Sequence, residues 1–230
     1  MDPDIIGIHN ALFESAEKIV FPILRQVMDR QGDMEITQEM YSDLVEATKL
    51  LKRVVYMNPI NVPAMWLAAK AHQLAGENES AYQILKDAYA VAKELYRTGV
   101  LAEAAEAVGN KPAEYVEAKT MDMVLRELSA QCVITERFAD AVYYGKLIIE
   151  LDPDDLSHKV NCTVALLLAN KVQEAVAMID TVPYLDEFND TRERVSRLAH
   201  AVLEGKVPVP ASMADVSAFG DRVENEHNSD

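Results

Sequence analysis

Two stretches of the chain align on their alanines. Around Ala141 the sequence reads FADAVYYGKLIIELDP (138–153), and around Ala175 it reads VQEAVAMIDTVP (172–183). The offset between the alanines is 34 residues (175 − 141), and Ala47 and Ala81 are separated by the same number (81 − 47). A fixed period of about this length is the signature of stacked helical hairpins, each of which buries its apolar face only against its neighbours. The period is broken once. Ala81 and Ala141 lie 60 residues apart, one period plus 26, and the in-phase position between them is Tyr115 instead of a small residue. The spacing therefore predicts helix pairs over residues 1–204, interrupted at about 97–112.

Composition agrees with helices. Half of the 230 residues are hydrophobic but only 7% are aromatic, and a usage led by Ala, Leu, Val, Glu and Met favours helix over sheet. A chain of this length buries a sufficient core without disulfides or metal. The formal charge is 22 − 38 = −16, which repels nucleic acid and anionic lipid and favours a protein partner with a basic patch. Acids stand in the first residues, where a secretory signal carries positive charge, and no apolar run reaches the length of a membrane span. The expected setting is the cytoplasm. Cys132 and Cys162 belong to no Cys/His cluster and are expected to be reduced and packed. Asn161-Cys162-Thr163 and Asn189-Asp190-Thr191 match the glycosylation pattern, which matters only on export.

In chain order, Asp2-Pro3 is a good helix opening, and Ile5, Ile8, Leu12, Ala16, Ile19 and Val20 follow at helical spacing. Pro22 should kink or restart that helix. Thr37 is the expected cap of a second helix with Met40, Tyr41, Leu44, Ala47, Leu51, Val54 and Val55 on one face, stopping at Asn58-Pro59. A helix is expected from Val62 to Leu74 and, after a turn at Gly76-Glu77-Asn78, a second one to about Tyr96. A short segment over 100–108 interrupts the array, and helices follow over 113–135, from Phe138 to a close at Asp152-Pro153, and over 156–169 and 172–180. Asp190 to Glu193 has capping-box spacing and opens a last, capping helix that Gly205 ends. Residues 205–230, with two positive charges against five negative, read as a disordered acidic tail, with a short binding motif at 213–219 as the other reading.

With these residues in place, the chain resembles tetratricopeptide (TPR) repeat proteins, whose small residues recur at set positions of a 34-residue hairpin. The matches are Ala69, Gly76, Ala81 and Ala88 in the unit from Val62, with Trp66 one place off the family's tryptophan. In the unit from Asp122 they are Leu125, Leu128, Ser129, Phe138, Ala141 and Asp152-Pro153. In the unit from Leu156 they are Cys162, Thr163, Leu166, Val172 and Ala175, and the first unit keeps Ala47 and Asn58-Pro59. The resemblance implies an all-α fold, a right-handed superhelical array of antiparallel helix hairpins with a carboxy-terminal capping helix.

The usual catalytic and metal-binding motifs are missing from the sequence, and the five histidines have no ligand spacing. Neither cofactor nor metal is expected. The resemblance implies that the first helix of each hairpin lines a concave groove. Its residues would be Trp66, Lys70 and Gln73, then Met123, Arg126, Glu127, Ala130 and Ile134, then Val160, Asn161, Val164 and Leu167. Arg126 and Asn161 fall where one subfamily grips a peptide carboxylate, but Ala130 stands where that clamp needs Asn, so the full clamp is absent. Arg126 could instead pair with Asp122 on its own helix, and Trp66 suits a packed core as well as a ligand contact. The implied function is a non-catalytic protein–protein interaction scaffold or adaptor holding a peptide or helix of a partner. The alternative is an accessory or regulatory subunit that forms a homo-oligomer, or docks on an enzyme or on secretion or chaperone machinery, through its outer faces.

Overall fold

The computed structural model describes residues 3–30, 34–99, 113–184 and 189–219. They hold the helices α1 (Pro3–Asp29), α2 (Gln38–Met57), α3 (Val62–Leu74), α4 (Asn78–Thr98), α5 (Ala113–Ile134), α6 (Phe138–Leu151), α7 (Leu156–Leu168), α8 (Val172–Ile179) and α9 (Asn189–Leu203), with no strand among the described residues. The chain divides into two compact units, 1–127 and 128–230, and the boundary falls inside α5. The expected interruption lies, from residue 100 to 112, outside the described residues.

In the first unit α1 packs on α2, α2 on α3 and α3 on α4. Thr37 caps α2 by accepting from the Met40 N–H at 3.2 Å, and Leu44, Ala47, Leu51 and Val54 form its buried stripe. Asn61 caps α3 by accepting from the Ala64 N–H at 3.0 Å. Nearly every side of α3 is buried, from Val62 and Ala64 to Ala69 and Ala71, because α2 and α4 flank it. Two expectations for α1 need correction. The helix does not restart at Pro22 but runs on through it, since Pro22 and Lys18, whose bond it removes, both lie on an exposed stretch open to water. Ile5 and Ile8 are exposed, at 43% and 52%, while Ala16, Val20 and Ile23 are buried; α2 covers only the second half of the stripe.

In the second unit α6 packs on α7, α7 on α8, and α9 on both α8 and α7. The Ser129 hydroxyl donates to the Ala141 carbonyl at 3.2 Å, tying α5 to α6. The alanines that set the period are all buried: Ala47, Ala81, Ala88, Ala141 and Ala175 at 0% and Ala69 at 1%. A larger side chain at such a crossing would push the helices apart. Pro153 is exposed in the turn that follows α6.

The hairpin turns repeat with the sequence. Gly76, Glu136 and Asn170 each have positive φ (77°, 58° and 58°), and each turn closes with the same pair of backbone bonds. The second bond of the pair runs from Glu77 N to His72 O (2.8 Å), from Arg137 N to Cys132 O (2.7 Å) and from Lys171 N to Leu166 O (2.8 Å). This is the helix-ending motif that satisfies the last carbonyls of one helix while reversing the chain. Only the first turn uses the residue best suited to that backbone.

The carboxy-terminal segment departs from the expected disorder in its described part. Residues 213–219 are helical, begun by a reciprocal cap in which Asp215 Oδ2 accepts from Ser212 N (3.0 Å) and Ser212 Oγ accepts from Asp215 N (3.3 Å). Acidic composition signals a lack of apolar area to bury, but Met213, Val216 and Phe219 recur at a spacing that gives this short stretch one apolar face. Residues 220–230 lie outside the described residues.

Candidate functional site

The expected groove residues fall into two sets, one in each unit. In the first unit Trp66 and Lys70, one turn apart on α3, face the same way. Lys70 Nζ stands 5.9 Å from the centre of the Trp66 ring and donates to Glu127 Oε2 at 2.5 Å. The pair is half-buried, so it is screened less than an ion pair in open water. Trp66 packs against the core cluster formed by α1, α2 and α3, and its Nε1 is buried without a hydrogen-bond partner. Of the two roles open to it, packing is the one seen. Arg126 donates from Nε to both carboxylate oxygens of Asp122, at 2.8 and 2.9 Å, the same-helix pairing weighed from the sequence. Gln73, Met123 and Glu127 are partly buried, while Ala130 and Ile134 are exposed.

In the second unit Val160, Asn161 and Val164 of α7 line one pocket of about 270 Å³. Its opposite wall is α9, through Thr191, Arg194, Val195 and Leu198, and the 213–219 helix closes it with Met213, Val216, Ser217 and Phe219. Leu167, expected on this surface, is fully buried instead, because it points back among the packed faces of the unit. The pocket is mostly apolar, with Asn161, Thr191, Arg194 and Ser217 supplying its polar groups. Sequence reasoning missed α9 as a wall; it offers the tail as a short binding motif at 213–219, and the Met213/Val216/Phe219 spacing is the signal for its apolar face.

Other polar groups are structural. Tyr41 donates to Glu77 Oε1 at 3.1 Å, and the buried His72 bonds Glu77 Oε2 through Nδ1 at 2.6 Å. An ionised carboxylate only accepts, so Nδ1 carries the proton. The His72 bond is the main cause holding the Glu77 carboxyl below its ordinary value, and the same carboxylate pushes the Tyr41 phenol up. The network pins the α3–α4 turn. His158 comes together with Asp152 and Asp155, with donor atoms within 4.8 Å of one another, but Asp155 is already the cap of α7, accepting from Ser157 N at 2.9 Å. Neither cysteine is in a disulfide and both are buried, and burial pushes the Cys162 thiol up to about 11.

Three pairs of the described helices, α3/α4, α5/α6 and α7/α8, are hairpins joined by one kind of turn, with buried alanines at the crossings, and this is the fold of a tetratricopeptide-repeat protein. A solved structure agrees: the chain is similar to YrrB, described as a TPR protein with an unusual peptide-binding site, at a TM-score of 0.53 and 11% identity over 89% of this chain and 93% of that one. No family model matches the sequence, and no curated protein does. No described helix is long and apolar enough to cross a membrane.

Proposed function

We propose that the chain is a non-catalytic protein-interaction scaffold that holds a peptide or helix of a partner protein against the first helices of its hairpins. The observation that carries this reading is the apolar pocket of the second unit, where Val160, Asn161 and Val164 stand together, the positions at which the resemblance to hairpin repeats implies ligand contacts. The peptide-binding site reported for YrrB supports it by likeness of fold. A net charge of −16 favours a partner with a basic face, and the setting that fits is the cytoplasm. Capture of partners by the wild-type chain and by Val164→Asp tests the reading. A buried carboxylate in the pocket should reduce recovery at least tenfold, and unchanged recovery from a normally folded variant would sink the groove.

A second reading has its own observation. Ile5, Ile6 and Ile8 are exposed at 43%, 43% and 52% within the first two turns of α1, a cluster suited to self-association or docking through an outer face. Partners kept by Val164→Asp but lost by Ile5→Ser/Ile8→Ser would favour it.

A further inference from the structure

The pocket of the second unit is occupied in part by the chain itself, and the fit is loose. Residues 206–212 form a short strap containing Pro208 and Pro210, of which Pro210 is buried. The strap delivers the 213–219 helix across α7 and α9. Seven helical residues do not hold together alone in water, because nucleation costs more than so few bonds return. The end cap formed by Ser212 and Asp215 stabilises the first turn, and the apolar contacts of Val216 and Phe219 with the pocket supply the rest. Yet Met213 remains 45% exposed, and about 270 Å³ is left between the helix and the pocket walls.

Charge does nothing to hold this occupant. The stretch 206–219 carries one cation, Lys206, and one anion, Asp215, and is neutral, while the whole chain carries −16. A neutral segment is thus held on an acidic body. It stays there because a tether of a few residues keeps its effective concentration in the millimolar range. A free helix with the same apolar spacing, larger apolar side chains and a basic outer face would gain where the tail does not.

We propose that the α7–α9 groove is a receptor for a basic amphipathic helix with apolar residues at i, i+3 and i+6, and that residues 213–219 are a built-in competitor for it. The proposal rests on the interaction-scaffold reading and adds the class of partner and its regulation. The apolar face enters the groove as helix-in-groove partners do, and the tail leaves.

The probe is a fluorescein-labelled peptide copying residues 207–219, made also with Ala214→Lys and Ala218→Lys. Its anisotropy is followed with the full-length wild type and with full-length Val216→Asp/Phe219→Asp, whose tail no longer docks. The tail variant should bind the peptide at least tenfold more tightly than wild type, and the lysine version tighter still, with the difference shrinking as salt is raised. Adding Val164→Asp should abolish both. Equal binding by wild type and tail variant, or binding that survives Val164→Asp, overturns the proposal. So does an absence of binding to a tail variant that keeps its circular dichroism and melting temperature. Should that variant not fold, amide exchange of the wild type decides: the lysine peptide must accelerate exchange at 213–219, and unchanged exchange at saturating peptide is fatal. The scaffold reading fails separately, when partner capture ignores Val164→Asp.

Discussion

Trp66 and Lys70 of α3 and Val160 and Val164 of α7 stand in the same register, related by the 94-residue offset that also relates Ala81 to Ala175 (175 − 81). The two faces are closed in different ways. On α3 the cation lies over the indole and is held by Glu127, so the face is sealed by groups belonging to the packed helices. On α7 two valines flank Asn161 in a mostly apolar pocket, and a separate helix lies across it. A repeat fixes where a side chain points, but the chemistry at that register decides whether the face is consumed by the fold or left for something removable. The turns differ in parallel. His72 at the first turn corresponds to Leu166 at the last, a polar network in one hairpin and a fully buried leucine in the other.

The equivalence of the two hairpins is most severely tested at the crossings. Ala81→Leu and Ala175→Leu should each destabilise by about 1 to 3 kcal/mol in urea titration, since both sites are closed on all sides. A loss at one and none at the other would break the comparison. The turns should give smaller effects. Gly76→Ala should lose about 1 kcal/mol, because alanine pays for positive φ. Glu136→Gly should gain about 0.5 kcal/mol, relief of the same strain less the extra chain entropy of glycine. Melting temperatures check both, and a loss for Glu136→Gly would mean that its side chain contributes more than its backbone costs.

The smallest effect separates the polar turn from the apolar one. Glu77 titrates below its ordinary value of 4.5 in the folded chain, first because of His72. A depressed carboxyl contributes stability that is present above the unfolded value and lost as pH falls through the folded one. Acid denaturation followed below pH 4.5 should therefore be shallower for Glu77→Gln than for wild type, the variant having less to lose. An identical acid limb in both would show that the network contributes nothing at this turn.

Much of the fold was legible because hairpin repeats are local. The Thr37 cap, the stop at Asn58 and the restart at Phe138 are written in residues within one turn of the boundary, and the alanine period reports pairwise crossings directly. Gly145 shows the limit. It breaks the apolar run of α6, in register with Leu85 and Ile179, and a Cβ there would lie 3.1 Å from Cys162 Sγ. Its cost to helix propensity, about 1 kcal/mol, hinted at a packing reason, but the neighbour that supplies the reason is 17 residues away (162 − 145) on the next helix. The groove fared less well. The register of Val160, Asn161 and Val164 could be carried over, whereas the pairing of Lys70 with Glu127, the burial of Leu167 and the docking of the tail could not.

By itself the sequence determined the helices, the Thr37 cap and the alanine crossings, because each depends on side chains one turn or one period apart. Only the tertiary structure decided which first-helix face is sealed by Glu127 and which is covered by the 213–219 helix. That outcome depends on groups brought together from distant parts of the chain: Glu127 onto Lys70, and Phe219 into the pocket beside Val164. Periodicity carries no record of such meetings, since the free energy that selects them is that of burying these particular surfaces against each other.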